Sequence, residues 1–122
     1  MIKFYLWLNA VLYVIFVLWC TLKHAQTARA TGFIALNNSG HSEYLVIYGG
    51  LQLGLAMFYA YLASTPALHG VGVVFSLCIY APIVIYRLST LVFFSPVAAL
   101  TLGTAALEVV LLVAASILFL RR

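Results

Sequence analysis

Two charged residues, Arg87 and Glu108, lie inside long apolar stretches of the sequence. A charged side chain at the centre of a bilayer costs roughly 2.5–3.5 kcal/mol on insertion scales, so such residues usually pair or serve a function. Counted from the turn near Ser95, their depths differ by about 7–8 Å at the helical rise per residue. Two interpretations stay open. The side chains pair, directly or through water or tyrosine, or Arg87 extends alone to the interface and Glu108 is neutral.

Polar residues lie on the same predicted helix faces as these two charges. Residues three or four apart share a face of a helix, which places Tyr80 on the face of Arg87 and Thr104 on the face of Glu108. Polar side chains on facing membrane helices hydrogen-bond across the interface. The spacing therefore predicts a shared polar network between the third and fourth apolar stretches.

A second polar stripe lies in the second apolar stretch. Tyr44, Tyr48 and Gln52 follow the i, i+4, i+8 spacing of one helix face. Glu43 is expected to open this helix, where a carboxylate suits the positive end of the helix dipole, and to lie near enough to Arg87 to be a second partner. The candidate ligand-binding or polar-network residues are Glu43, Tyr48, Gln52, Tyr80, Arg87, Thr104 and Glu108.

Three glycines in the same stretch, Gly49, Gly50 and Gly54, are candidates for helix packing. Gly50 and Gly54 have the GxxxG spacing, in which missing side chains let another helix approach closely. Two interpretations stay open for this motif. It packs against another helix of the same chain, which is the favoured interpretation, or it forms the seam of a homodimer.

The remaining reactive residue types form no recognisable catalytic or metal-binding motif. Cys20 and Cys78 lie in apolar stretches and are interpreted as buried small apolar residues. His24, His41 and His69 lack the spacing of a metal-binding motif. Since the sequence also lacks a phosphate-binding loop, a CxxC and a Ser-His-Asp set, we predict no metal and no catalytic residue, and enzymatic activity is disfavoured but undecided.

The composition predicts membrane-spanning helices as the elements that position these residues. Of the 122 residues, 66% are hydrophobic and 7% charged, against about 25% charged in a soluble domain. That excludes a soluble globular protein, a disordered segment and a nucleic-acid binder. Four apolar stretches have about the length that crosses a bilayer as a helix, at residues 4–22, 44–63, 71–94 and 96–120. The predicted fold is all-α, a polytopic membrane protein with a single four-helix transmembrane domain over residues 1–122.

The first apolar stretch and the loop after it need separate interpretation. The stretch is longer than the 7–15-residue core of a typical signal peptide, so we interpret it as a retained span. Residues 27–36 are amphiphilic enough for a short interfacial helix. Residues 37–40, Asn-Asn-Ser-Gly, are expected to turn the chain.

Charge distribution predicts an orientation in the membrane. Four spans place both termini on one side, together with Lys3, Arg121 and Arg122, whereas Lys23 and Arg29 lie on the other. The positive-inside rule assigns the side with more Lys and Arg in short segments to the cytoplasm. Both termini are therefore predicted to be cytoplasmic, by a narrow margin.

A resemblance to a known family rests on one block of the second stretch and two later residues. The motif is Glu43-x-x-x-x-Tyr48-Gly49-Gly50-Leu51-Gln52-x-Gly54, followed by Arg87 and Glu108. It resembles the DUF4345 family of small bacterial four-helix membrane proteins with no assigned function, although Leu45 stands where many members carry an arginine. The resemblance implies a bacterial inner-membrane location. The family also resembles DoxX-like four-helix proteins, some of which are associated with quinone-linked oxidoreductases, an analogy at the level of fold.

Three functions fit a polar cluster without a catalytic set. The leading hypothesis is a module that binds a lipid or quinone, or an accessory subunit of a larger membrane complex. The alternative is a small oligomeric proton-coupled transporter or channel, and an intramembrane enzyme is the least favoured. No cofactor is evident beyond a bound lipid or quinone, and the expected partners are membrane lipids, a larger complex or a second copy of the chain, without nucleic acid.

Overall fold

Four long apolar helices dominate the computed structural model, which describes residues 1–34 and 37–122. In chain order, the helices are α1 (Ile2–Leu22), α2 (His24–Ala30), α3 (Asn38–Leu45), α4 (Gln52–Ser64), α5 (His69–Phe93) and α6 (Ala99–Leu120). A π-helical segment, Val46–Leu51, joins α3 to α4 in one continuous span, and a 3₁₀ turn, Pro66–Leu68, precedes α5. The predicted all-α fold with four membrane-spanning helices is confirmed.

The second span begins at Asn38 rather than near Tyr44. The expected turn at residues 37–40 is therefore wrong, because residues 38–40 belong to the helix. The side-chain oxygen of Asn37 accepts a hydrogen bond from the backbone N–H of Gly40 at 2.9 Å, which caps the N-terminus of α3. Asparagine suits both turns and N-caps, so its presence alone does not distinguish them. As a result Glu43 lies beyond the first helical turn and does not open the helix.

The helix in the first loop is present, but it covers His24–Ala30 instead of residues 27–36. It ends in a Schellman motif, in which Gly32 N–H bonds to Arg29 O at 3.0 Å and Phe33 N–H bonds to Ala28 O at 2.8 Å. Gly32 adopts φ +91°, a conformation that side chains disfavour. The glycine therefore stops the helix early. Residues 35 and 36 of the prediction lie outside the described residues.

The bundle brings both termini to one end and packs its helices closely around small residues. Helix α1 lies against α4, and α5 lies against α6. At the end with the termini, Arg122 Nη1 donates to the backbone oxygen of Gly70 at 2.9 Å. A Cβ on Gly72 would lie 2.8 Å from Leu6 Cδ1 and Cδ2, so only glycine fits there without a shift. Close approach at small residues is how membrane helices associate.

Candidate functional site: an ion pair within the spans

Arg87 and Glu108 form a bidentate ion pair between α5 and α6. Arg87 Nε donates to Glu108 Oε2 at 2.9 Å, and Arg87 Nη2 donates to Glu108 Oε1 at 2.8 Å. This fork geometry is the strongest form of a charge-assisted pair between these residue types. The sequence left two interpretations open, and the structure shows the first of them, direct pairing.

The depths of Arg87 and Glu108 differ less than the sequence predicts, because a longer turn than expected joins α5 to α6. Helix α5 ends at Phe93 and α6 begins at Ala99, so the intervening residues add no helical rise. Measured from these helix ends, the two Cα positions differ in depth by only about 4–5 Å at 1.5 Å per residue. Two long side chains span that difference without difficulty.

The two partners are unequally exposed. The side chain of Arg87 is 31% exposed and that of Glu108 is 13% exposed. A guanidinium has five N–H donors, of which the pair uses two. Among the described residues, no protein atom accepts a hydrogen bond from Arg87 Nη1. Both carboxylate oxygens are thus engaged, whereas the guanidinium keeps unused N–H donors.

An aromatic cluster lies between α1, the first loop and the second span. It consists of Phe16, Phe33, Tyr44 and Tyr48, in which the Tyr44 and Tyr48 rings stack with centroids 4.6 Å apart. Tyr48 lies within electrostatic range of Arg87. The hydroxyl of Tyr44 is engaged elsewhere, since it donates to Thr27 Oγ1 at 3.0 Å. Of the two tyrosines in the aromatic cluster, Tyr48 is therefore the one linked electrostatically to the charged pair.

Gln52 does not continue the stripe that Tyr44 and Tyr48 begin. The π-helical segment Val46–Leu51 contains Tyr48 and ends directly before Gln52, and its wider turns take up an extra residue. Residues after the segment are therefore rotated relative to those before it, which the i, i+4, i+8 rule cannot anticipate. Gln52 is half-buried, and its side chain makes no hydrogen bond within the described part of the chain.

Three other predicted site residues make no hydrogen bond or ion pair with Arg87 or Glu108 within the described ranges. Tyr80 is buried and donates to Asn9 Oδ1 on α1. The hydroxyl of Thr104 donates to Leu100 O of its own helix at 2.9 Å. Glu43 is exposed, and Arg87–Glu108 is the only ion pair between side chains of residues 1–34 and 37–122. The expectation that Glu43 is a second partner of Arg87 is therefore wrong.

Of the three glycines predicted to pack helices, only Gly49 lies at a contact between helices. A Cβ on Gly49 would lie 3.2 Å from Thr21 Oγ1, so this buried glycine marks a close approach between the second span and α1. Gly50 and Gly54 are exposed, and a Cβ on either would meet nothing within 4 Å. The favoured interpretation, in which the GxxxG motif packs within the chain, is therefore wrong, because the motif faces outward.

A second polar region, which we call the tyrosine–asparagine cluster, contains only one residue that was predicted for a polar network, Tyr80. Its members are Tyr5, Asn9, Tyr59, Ser76 and Tyr80, and all five are buried. Tyr5 hydroxyl donates to Leu111 O at 3.0 Å, and Asn9 Nδ2 donates to Tyr5 O at 2.8 Å. Tyr59 hydroxyl donates to Ser76 Oγ at 3.0 Å. The available signal was Asn9 itself, a carboxamide within an otherwise apolar span.

Two histidines lie close together at the end of the bundle that carries the first loop. His24 and His41 make an edge-to-face contact with ring centroids 5.3 Å apart. Within the described ranges, no three side chains of His, Cys, Asp or Glu come together in a way that would hold a metal ion.

Comparison of the chain with family models, with curated proteins and with solved structures finds no match.

Proposed function

We propose that this protein binds a lipophilic molecule with a carbonyl group, a quinone or a lipid, at the Arg87–Glu108 pair. In this role it is a binding module or an accessory subunit of a larger membrane complex. The observation that carries the proposal is the unequal engagement of the pair. Glu108 is held by two hydrogen bonds, and Arg87 Nη1 has no protein acceptor among the described residues.

Hydrocarbon offers no acceptor for the unused N–H donors of Arg87, because lipid tails cannot hydrogen-bond. An unsatisfied polar group there costs several kcal/mol. A carbonyl oxygen of a quinone ring or of a lipid ester would satisfy them. Tyr48, which lies within electrostatic range of Arg87 and stacks on Tyr44, supports this proposal, since aromatic rings stack favourably on a planar ring. In this arrangement Glu108 is a positioning residue that fixes the direction of the guanidinium.

The same proposal includes a bacterial inner-membrane location, both termini in the cytoplasm and membership of the DUF4345 family. Its support is the motif from Glu43 to Gly54 together with the later Arg87 and Glu108. Both termini lie at one end of the bundle, where Lys3, Arg121 and Arg122 are found. An excess of Lys and Arg on that side favours the cytoplasm.

The test uses the full chain in nanodiscs of dioleoyl phosphatidylcholine, with a ubiquinone that has a single isoprene unit as the probe. Loss of a hydrogen bond to a charged group removes about 1.5–3 kcal/mol, so Arg87→Gln should weaken probe binding about 10- to 150-fold. Thr104→Val is the matched control, because its hydroxyl is engaged within its own helix. Its affinity should equal that of the unmodified chain.

A lipid in place of a quinone would show itself differently. In that case a phosphatidylcholine molecule survives delipidation of the unmodified chain and is absent from Arg87→Gln, as counted by native mass spectrometry. Equal retention of both probes by the unmodified chain and Arg87→Gln would contradict the proposal. Proton-coupled flux in liposomes that Glu108→Gln abolishes would instead favour the transporter.

A further inference from the structure

A cavity of about 400 Å³ opens at the opposite end of the bundle from the aromatic cluster, between the start of α1, the start of α5 and the end of α6. Its lining residues are Met1, Ile2, Lys3, His69, Leu118 and Arg121. The volume lies within the range of ordinary ligand sites. The lining combines two cationic side chains with three apolar ones, so the cavity has the amphipathic character of a lipid at the membrane boundary.

The cationic side chains of this cavity have no acidic side chain of the protein to neutralise them. The sequence contains only two acidic side chains. Glu108 is paired with Arg87, and Glu43 lies at the start of the second span, at the far end of the bundle. An anion for Lys3 and Arg121 must therefore come from outside the acidic side chains of this chain.

The neighbouring Arg122 shows how a cation at this end is otherwise accommodated. Its Nη1 donates to Gly70 O at 2.9 Å, and its guanidinium lies 4.6 Å from the centroid of the Phe119 ring. His69 is also held, since its Nε2 contacts Ala63 O at 3.2 Å. These two anchored side chains leave Lys3 and Arg121 as the groups that face an incoming anion.

We propose that this cavity binds the headgroup of an anionic phospholipid. The phosphate lies between Lys3 and Arg121, and the acyl chains follow the apolar surface of Met1, Ile2 and Leu118 into the bilayer. Basic pockets between membrane helices recognise anionic headgroups in this way. Phe4 and Leu120, the sequence neighbours of Lys3 and Arg121, are also exposed apolar side chains. The site is independent of the Arg87–Glu108 pair.

The test counts lipids on the full chain. Protein in nanodiscs of equal parts dioleoyl phosphatidylcholine and dioleoyl phosphatidylglycerol is released into detergent, and native mass spectrometry measures the ratio of the two lipids that stay bound. We expect the unmodified chain to retain one phosphatidylglycerol in preference. Lys3→Gln/Arg121→Gln should lower that preference roughly 10- to 30-fold, which corresponds to about 1 kcal/mol for each cationic side chain.

The matched control removes the same charge at the other end. Lys23→Gln/Arg29→Gln should keep the preference for phosphatidylglycerol, and Lys3→Arg should keep it as well. Circular dichroism confirms that each variant retains its helices. An equal loss in both double variants, or no preference in the unmodified chain, would overturn the proposal. Displacement of the lipid by millimolar inorganic phosphate would also overturn it, because that result identifies a site for a soluble anion.

Discussion

The tyrosine–asparagine cluster and the Arg87–Glu108 pair are both polar regions within apolar helices, but they differ in what they leave unsatisfied. In the cluster, Asn9 and Ser76 have no exposed surface, and the hydroxyls of Tyr5, Tyr59 and Tyr80 each donate to an acceptor on another helix or side chain. In the pair, Arg87 is 31% exposed and keeps unused donors.

The difference separates structure from binding. A polar network whose members are all satisfied holds helices in register and has no capacity for another partner. A partly satisfied, partly exposed pair can hold a helix contact and still accept a ligand. Tyr80 illustrates the separation, because it shares a predicted helix face with Arg87 and yet belongs to the buried cluster.

The largest effect should come from removing one member of the pair. Arg87→Leu should lower the free energy of unfolding by about 3 kcal/mol, because a largely buried carboxylate then lacks its partner. Arg87→Leu/Glu108→Leu should recover most of that loss, since two apolar side chains replace the pair. Unfolding in mixed micelles titrated with dodecyl sulfate gives both values.

Probe binding separates the two roles of the pair in these same variants. Both the single and the double variant should lose quinone binding, even though the double variant is stable. A double variant that is no more stable than Arg87→Leu would argue that the pair itself is the main stabilising contact, and a double variant that still binds the probe would argue against a ligand site.

A smaller loss of stability, without a loss of binding, is expected in the buried cluster. Asn9→Ala removes the acceptor of the Tyr80 hydroxyl and the donor to Tyr5 O, which should cost about 2 kcal/mol. Ser116→Ala is the control, because its hydroxyl bonds only within its own helix. The same dodecyl sulfate titration measures the change. If Asn9→Ala weakened probe binding as Arg87→Gln does, the two regions would not be separate.

The smallest expected effect distinguishes a glycine in close contact with another helix, Gly72, from an exposed glycine, Gly54. Gly72→Ala should lower the free energy of unfolding by roughly 1 kcal/mol, because its Cβ would press on the methyl groups of Leu6 and force them to shift. Gly54→Ala has open space at the same atom and should not lower the free energy of unfolding in the monomer, because alanine is the better helix former. Comparable losses from both changes, measured with a monomeric sample, would show that the contact with Leu6 does not decide the cost.

Some features of the fold were predictable because they depend on one segment at a time. Apolar length alone indicates each of the four spans, and the two charges inside them stand out by residue type. The errors occur where several local outcomes are compatible with one sequence. Asn37 caps a helix instead of making a turn, Gly32 ends α2 early, and a π-helical segment rotates Gln52 away from the stripe of Tyr44 and Tyr48.

The sequence by itself therefore determined the class of the protein, the number of spans, and the two charged residues that lie within them, Arg87 and Glu108. Only the tertiary structure decided which polar groups meet, which glycines are in contact, and where an open cationic cavity lies. The physical reason is that lipid and protein interior are both apolar. The side of a membrane helix that faces its neighbours then carries no clear hydrophobic signal, and the partners of Asn9 or Gly72 follow only from how the helices pack.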